Sequence, residues 1–493
     1  MALLFIPFVS GCGGGGESAS TTTPVVTTPD PNTAPVVASA NGDQAAEVGI
    51  SFSYDATQGG NTFSDADGDT LTYTVAYSPA AQGLADSNGV ITGTPSTDGT
   101  VTVTLTANDG NGGVVSDDFD IVIAAANNGQ TAIFAKFGGR IDMNNPANYA
   151  NQAVPNYITK LNDGGNPITD SGATLGRVLF YDKALSIDDT ISCASCHSQS
   201  HGFSDPNIRS EGVENGLTGR HSMRLINTQF ADESRFFWDE RAASHEIQES
   251  QPLHDHNEHG FSGQNGRPDF DDLVAKLEAL DYYQELFTLV YGDASVTEAR
   301  LQSALAQFVK SIQSFDSKYD EGRAQVNNER VNFPNFTADE NAGKLLFLDP
   351  PNQGGAGCQV CHRAPEFDIR PDSNQNGVVS VAGSPGEFDF TNTRSPSLRD
   401  VLNADGSSNG PFMHDGSLAS LLDVINHYDQ INAPVVEPAR TQFLNTLDNR
   451  LQPGGNLQNL NLTDTQKSQL VAYLTTLSGQ NVYQDAKWSD PFE

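Results

Sequence analysis

Four of the five cysteines fall in two copies of one motif, Cys-x-x-Cys-His: Cys193, Cys196, His197 and Cys358, Cys361, His362. Two thiols at this spacing reach both vinyl groups of a haem, and the histidine that follows lies under the iron. Each copy therefore spells covalent attachment of haem c with an axial imidazole. Zinc and a redox dithiol are the competing chemistries of paired cysteines. Structural zinc needs four ligands gathered from two knuckles, whereas these copies stand more than 160 residues apart and each has its own histidine. The fifth cysteine, Cys12, is alone near the N-terminus, so no disulfide framework remains. Covalent haem attachment also implies a location outside the cytoplasm.

Both motifs follow the same kind of element. Thr174-Leu175-Gly176-Arg177-Val178-Leu179-Phe180 precedes the first, and Asn341-Ala342-Gly343-Lys344-Leu345-Leu346-Phe347 the second. A helix carrying G-[RK]-x-L-F, a loop and then a haem motif thus occurs twice, which predicts two cytochrome c-like halves over 150–335 and 336–480. Apolar residues at helical spacing predict further helices over 270–291, 297–313, 339–348, 417–428 and 464–477. Gly-, Asn- and Pro-rich loops join them, as expected where a large apolar cofactor supplies much of the core.

Upstream the pattern changes. Leu71–Val75, Val101–Leu105 and Phe119–Ile123 alternate apolar and polar residues between Gly, Asp, Asn and Pro clusters. That is the pattern of an antiparallel β-sandwich over 34–125. The stretches FSDADGDTLTY and GVITGTPSTDGTVTVTLTANDGNGG resemble bacterial cadherin-like, Ig-type repeats, a spacer or adhesion module. Asp65, Asp67 and Asp69 read either as hard oxygen ligands for calcium or as a solvated acidic turn. Residues 13–33 have no periodic apolar positions and read as a flexible linker. Residues 1–12 resemble a lipoprotein signal: an apolar run too short to span a bilayer, ending Val9-Ser10-Gly11-Cys12, with Cys12 the lipidation position. The fold class expected is thus multidomain, an all-β sandwich followed by a mostly α, loop-rich di-haem domain.

Lys and Arg total 26 against 62 Asp and Glu, a formal charge of −36. That excludes a nucleic-acid footprint and disfavours anionic lipid, leaving a lipid anchor as the membrane contact. It suits basic protein partners, and equally an adaptation of the surface to its medium.

The segments TLGRVLFYDKALSIDDTISCASCH, RFFWDERAASHEIQESQP, GCQVCH, TRSPSLRDV and GPFMHDGSLASLLDVINHYD resemble the bacterial di-haem cytochrome c peroxidase/MauG family over roughly 150–480. The resemblance implies a peroxide-reacting first haem, a low-spin, electron-handling second haem, and a tryptophan between them, here Trp238. It also implies a peroxide pocket of Gln248, Pro252 and Glu258, which stand ten, fourteen and twenty residues after Trp238. Glu258 is the group expected to move a proton between the peroxide oxygens. Many peroxidases of the family carry a distal histidine in the loop that here reads SEGVENGLTGRHSMRLIN, with Val213 or Gly219 where it would fall. His254, His256 and His259 flank Glu258 as pocket modulators, a metal cluster or a polar loop.

The sixth ligand of the second haem divides the family. Tyr428, fourteen residues after His414, matches the MauG-type tyrosine, with Met413 as the rival peroxidase-type ligand. An anionic tyrosine lowers the potential and a methionine raises it. Calcium between the halves is implied at the carbonyls of Asn409 and Pro411, although His221 stands where the family places an asparagine, with Asn227 nearby. The resulting reading is a di-haem peroxidase, anchored in the periplasm or at the cell surface, reducing hydrogen peroxide with electrons from a donor such as a small cytochrome c. A MauG-like oxidase modifying a protein substrate and a non-catalytic electron-transfer lipoprotein are the alternatives. Family members are often dimers, but no interface is legible in the sequence.

Overall fold

The computed structural model describes residues 32–124, 130–403 and 405–492. Cys12 and nearly all of the 13–33 linker lie outside the described residues. The chain divides at 127/128 into two compact units.

In the first unit, alternation builds the core. Along Gly99–Asn108 the side chains of Val101, Val103, Leu105 and Ala107 are fully buried while the threonines between them face outward. This strand lies between Thr72–Ser78 and Val114–Ala124, antiparallel to both, and Gln44–Glu47 adds a parallel edge. A second sheet, Phe52–Asp55, Val90–Gly93 and Leu84–Ser87, supplies Ile91 and Leu84 to the same core. The carboxylates of Asp65, Asp69 and Asp109 lie within 4.8 Å of one another. Asp67, expected in that set, instead accepts from the Thr33 backbone at 2.6 Å, and Asp109 takes its place from across the fold.

The second unit repeats one helix crossing. Asp170–Tyr181 packs on Glu298–Ser311, and Ala338–Leu348 packs on Asp464–Thr475. Thr169 and Thr297 cap the first pair, and Thr337–Glu340 and Thr463–Gln466 form capping boxes on the second. The glycine of each G-[RK]-x-L-F motif lies at its crossing. A Cβ on Gly176 would sit 2.0 Å from the Ala304 carbonyl oxygen, and one on Gly343 1.9 Å from that of Gln469. Gly343→Ala is expected to cost about 1–3 kcal/mol by overpacking, read as a fall in thermal midpoint.

Three departures from the expected elements have physical causes. The 270–291 stretch is two helices, Phe270–Glu278 and Asp281–Tyr291, because Leu280 is extended. The second helix is thereby aimed so that Tyr282 and Tyr283 both donate to buried Asp182, at 2.7 and 2.9 Å. Residues 417–420 are not helical; Ser420 is the N-cap of Leu421–Asp429. The core of the first half also extends beyond 150–335: Ile133, Phe137 and Tyr149 join it from before, Val482 and Trp488 from after. Residues 481–492 fold back there, where Tyr149 donates to the Lys487 carbonyl, Tyr181 to that of Trp488 and Arg177 to that of Ser489. Residues from 319 on pack in the core of the second half, earlier than the expected 336; there Arg399 makes a two-pronged, buried ion pair with Asp320 at 2.8 and 3.0 Å, and Tyr157 adds a hydrogen bond to the same carboxylate. Among the described residues no helix is long and apolar enough to cross a membrane.

Candidate haem centres and the pocket between them

The first motif begins as a single helical turn, Cys193–Cys196, held by a capping box between Ser192 and Ser195. His197 leaves that turn, and the chain then loops so that Phe203, in the left-handed region at φ 56°, returns its carbonyl oxygen to His197 Nδ1 at 3.1 Å. A carbonyl only accepts, so Nδ1 carries the proton and Nε2 is the nitrogen left to bind a metal. In the second motif Gly357, at φ 71°, starts the turn Cys358–Val360, and His362 enters a short strand paired with Ile369. The return to Phe367 is one residue shorter, and His362 Nδ1 is buried with no hydrogen-bond partner among the described residues.

Burial pushes the thiols of Cys196 and Cys358 up to about 12, and those of Cys193 and Cys361 are raised for the same reason. Among the described residues, no cysteine belongs to a cluster able to hold a bare metal ion. Each motif instead lines its own cavity, of about 320 Å³ at the first and about 120 Å³ at the second. Two thiols and an imidazole on the wall of one cavity fit haem c in both halves.

Trp238, Gln248, Pro252 and Glu258 all line the first cavity with Cys193, Cys196 and His197. Gln248 and Pro252 come from the helix His245–His254, and the loop after it turns back, with His259 N–H donating to the Pro252 carbonyl, to present Glu258. Burial raises Glu258 to about 7; Asp255 adds to the shift and Arg241 opposes it. The carboxyl therefore exists in both protonation states near neutrality, as a group that accepts and returns a proton must. The three flanking histidines do not converge. His254 pairs with Glu298, His256 meets Ser262, and only His259 lines the cavity, with Nδ1 on the Leu185 carbonyl. Val213 is buried against the Glu258 loop and Gly219 lines the cavity without a side chain.

Trp238 bridges the two centres. Its ring lines the first cavity and its Nε1 donates to the His221 carbonyl at 2.8 Å. Its own carbonyl accepts from the backbone N–H groups of Thr393 and Arg394, both of which line the second cavity. Trp238→Phe keeps a ring but leaves the His221 carbonyl unpaired, a loss of about 1–3 kcal/mol. Slower electron exchange between the two haems, measured after photoreduction of one, is the expected outcome.

In the second centre Tyr428 lines the cavity and Met413 does not. Asn376 Nδ2 lies 3.1 Å from Tyr428 Oη and 3.3 Å from Met413 Sδ, so one amide spans both rivals. Burial raises the Tyr428 hydroxyl, with Asn376 opposing. Asn409 is fully buried, and its amide donates to Asp400 O and Tyr483 Oη. Between Asn409 and Pro411, the Gly410 carbonyl meets His201 Nε2 at 2.9 Å. His221 is buried with its ring on Asn207 O and Ser204 Oγ, while Asn227 pairs with Ser314 instead. Two residues of these pockets had no signal in the sequence. Asn376 has no motif, and Glu249, raised to about 8 by burial, is one acid among many.

Residues 170–328 match the family model described as di-haem cytochrome c peroxidase, and residues 34–124 that of a putative Ig domain. The methylamine utilization protein MauG of Methylophilus methylotrophus is 29% identical over 320 residues, 64% of this chain and 84% of that protein. The cytochrome c551 peroxidase of Nitrosomonas europaea is 28% identical over 275 residues, 52% of this chain and 73% of that one. Among solved structures, a MauG-like protein associated with microbial copper homeostasis aligns with a TM-score of 0.55 at 25% identity, covering 70% of this chain and 99% of its own. The chain thus joins a region that matches a putative Ig domain to one that matches the di-haem cytochrome c peroxidases, a likeness that implies two haem c groups.

Proposed function

We propose that this chain reduces hydrogen peroxide in the cavity of the first haem centre, with electrons that enter from a donor protein and pass by way of the second. The observation that carries this reading is the meeting of Glu258, Gln248, Pro252 and Trp238 with Cys193, Cys196 and His197 around one cavity. When bound there, haem supplies an iron that takes peroxide and exchanges electrons. His197 is held in one tautomer by the Phe203 carbonyl, so its Nε2 is fixed toward the cavity. Glu258 takes the proton from the near peroxide oxygen and returns it to the far one, which leaves as water. Trp238 lies in the path between the cavities.

The charge of −36 suits a small basic cytochrome c as donor. A second reading, a MauG-like oxidase acting on a protein, is favoured by one observation: Tyr428, not Met413, lines the second cavity. A purely electron-transferring lipoprotein would have no use for a cavity holding an acid near neutrality. One equivalent of peroxide added to the air-oxidised protein separates the first two. An immediate change in haem absorption supports tyrosine ligation and the oxidase. A change only after partial reduction supports an ordinary peroxidase and returns Met413 as ligand.

The same proposal sets the protein in the periplasm or at the cell surface, tethered by a lipid on Cys12; labelling with a fatty acid that is lost in Cys12→Ser tests it. A calcium ion at the carbonyls of Asn409 and Pro411 belongs to the reading as hard oxygen donors at the seam. Chelation that leaves both haem spectra unchanged removes it.

A further inference from the structure

A third, smaller space lies between the two haem cavities. It measures about 40 Å³, shares Gln248 and Phe237 with the first cavity, and shares Arg394 and Ser395 with the second. Four polar atoms on its lining residues are buried without a hydrogen-bond partner among the described residues: Thr228 Oγ1, Glu233 Oε1, and both ring nitrogens of His245. The Thr228 backbone faces the His245 ring without closing a bond of normal geometry. Each such atom costs about 1–3 kcal/mol if left alone. A polar space of this size admits water, which needs roughly 10–15 Å³ and two to four polar partners.

The chemistry of the neighbouring cavity asks for such a group. Reduction of hydrogen peroxide to two waters consumes two electrons and two protons. Glu258 only moves a proton from one oxygen to the other and ends where it began, so both consumed protons come from elsewhere. Met223, Leu225 and Phe237 make the shared wall apolar; Gln248 is its polar point.

We propose that this chamber holds water and that Glu233 stores a proton there, giving it up across Gln248 to the peroxide cavity in each turnover and regaining one from solvent. One of the two protons comes by this route and the other through the cavity mouth; the electrons come from the donor. The inference rests on the peroxidase reading of the first cavity. Burial raises the Glu233 carboxyl to about 8, with Asp368 and Glu240 adding to the shift and Arg394 opposing it. Asp368 is itself bound by Lys160 and Arg363, and Arg394 by Glu240. His245, facing Lys310 and Glu246, is lowered to about 4 by burial and stays neutral, able to donate to water at one nitrogen and accept at the other.

The test uses the full di-haem protein. At neutral pH its infrared spectrum is expected to show carboxylic acid C=O absorption that moves in D2O, to which Glu249 and Glu258 also contribute; the wild type minus Glu233→Gln difference isolates the Glu233 band. The first-haem potential is expected to fall as pH rises through about 8, since oxidation favours loss of the Glu233 proton; Glu233→Gln reduces that dependence to the share that Glu249 and Glu258 keep, and Thr228→Val weakens it. A wild type minus Glu233→Gln difference spectrum without such a band, or an unchanged pH dependence in both variants, overturns the proposal. Peroxide consumption measured on the same samples keeps the two readings apart. Wild-type protein that consumes no peroxide but shows the band defeats the peroxidase reading alone.

Discussion

Glu258→Gln slows peroxide cleavage about 100- to 10,000-fold, the usual contribution of a positioned acid–base group, while both haems remain attached. The amide matches the carboxyl in shape, so the cavity keeps its form and only proton transfer is lost. Stopped-flow mixing with peroxide reads the rate, and mass measurement with the pyridine haem spectrum reads the attachment. The pH dependence carries a sign. The carboxyl, raised to about 7 by burial and Asp255, must be ionised to take the first proton. The wild-type rate therefore rises with pH and levels off above about 7, and the variant lacks that limb. A variant as fast as wild type removes Glu258 from the reaction.

Arg399→Met is expected to cost about 3–5 kcal/mol of stability, because it leaves the Asp320 carboxylate buried without its cation. Both charges are shielded from water, and the carboxylate also serves Ser317 and Tyr157. Burial by itself would raise Asp320, but Arg399 and these hydrogen bonds hold it below the ordinary aspartate range. A depressed carboxylate contributes stability above its unfolded pKa and loses it as pH falls through the folded one. In the variant that loss begins at higher pH. Urea midpoints measured across the acid range read both effects, and Arg399→Met combined with Asp320→Leu is expected to recover part of the loss. Equal midpoints for wild type and Arg399→Met would show the pair to be neutral.

The haem motifs were legible because covalent chemistry fixes residue type and spacing within five positions. The two glycines of G-[RK]-x-L-F were visible as a repeat, and the structure supplies their reason, a helix crossing too close for a Cβ. Alternation in 101–107 announced a buried strand face by the same local logic. What stayed hidden is assembled at a distance. Asp320 and Arg399 are 79 residues apart, and Asp109 reaches Asp65 and Asp69 only once the sheets have formed. Leu280 looks helical by periodicity, and the tyrosines behind it are re-aimed by a carboxylate about a hundred residues earlier. Glu233 and His245 are an acid and a histidine in polar surroundings until the chamber between the haem cavities brings them together.

Residues 481–492 give the molecule a particular order of birth. The helix Asp170–Tyr181 is among the first parts of its half to be made, yet Tyr181 and Arg177 find their partners at Trp488 and Ser489, more than 300 residues later. Domains usually mature from the N-terminal side as the chain emerges. Here the later half, whose crossing helices lie within 338–475, can close while the earlier one still waits for its buckle. A chain cut short by a dozen residues would therefore leave the core around the first haem motif unfinished.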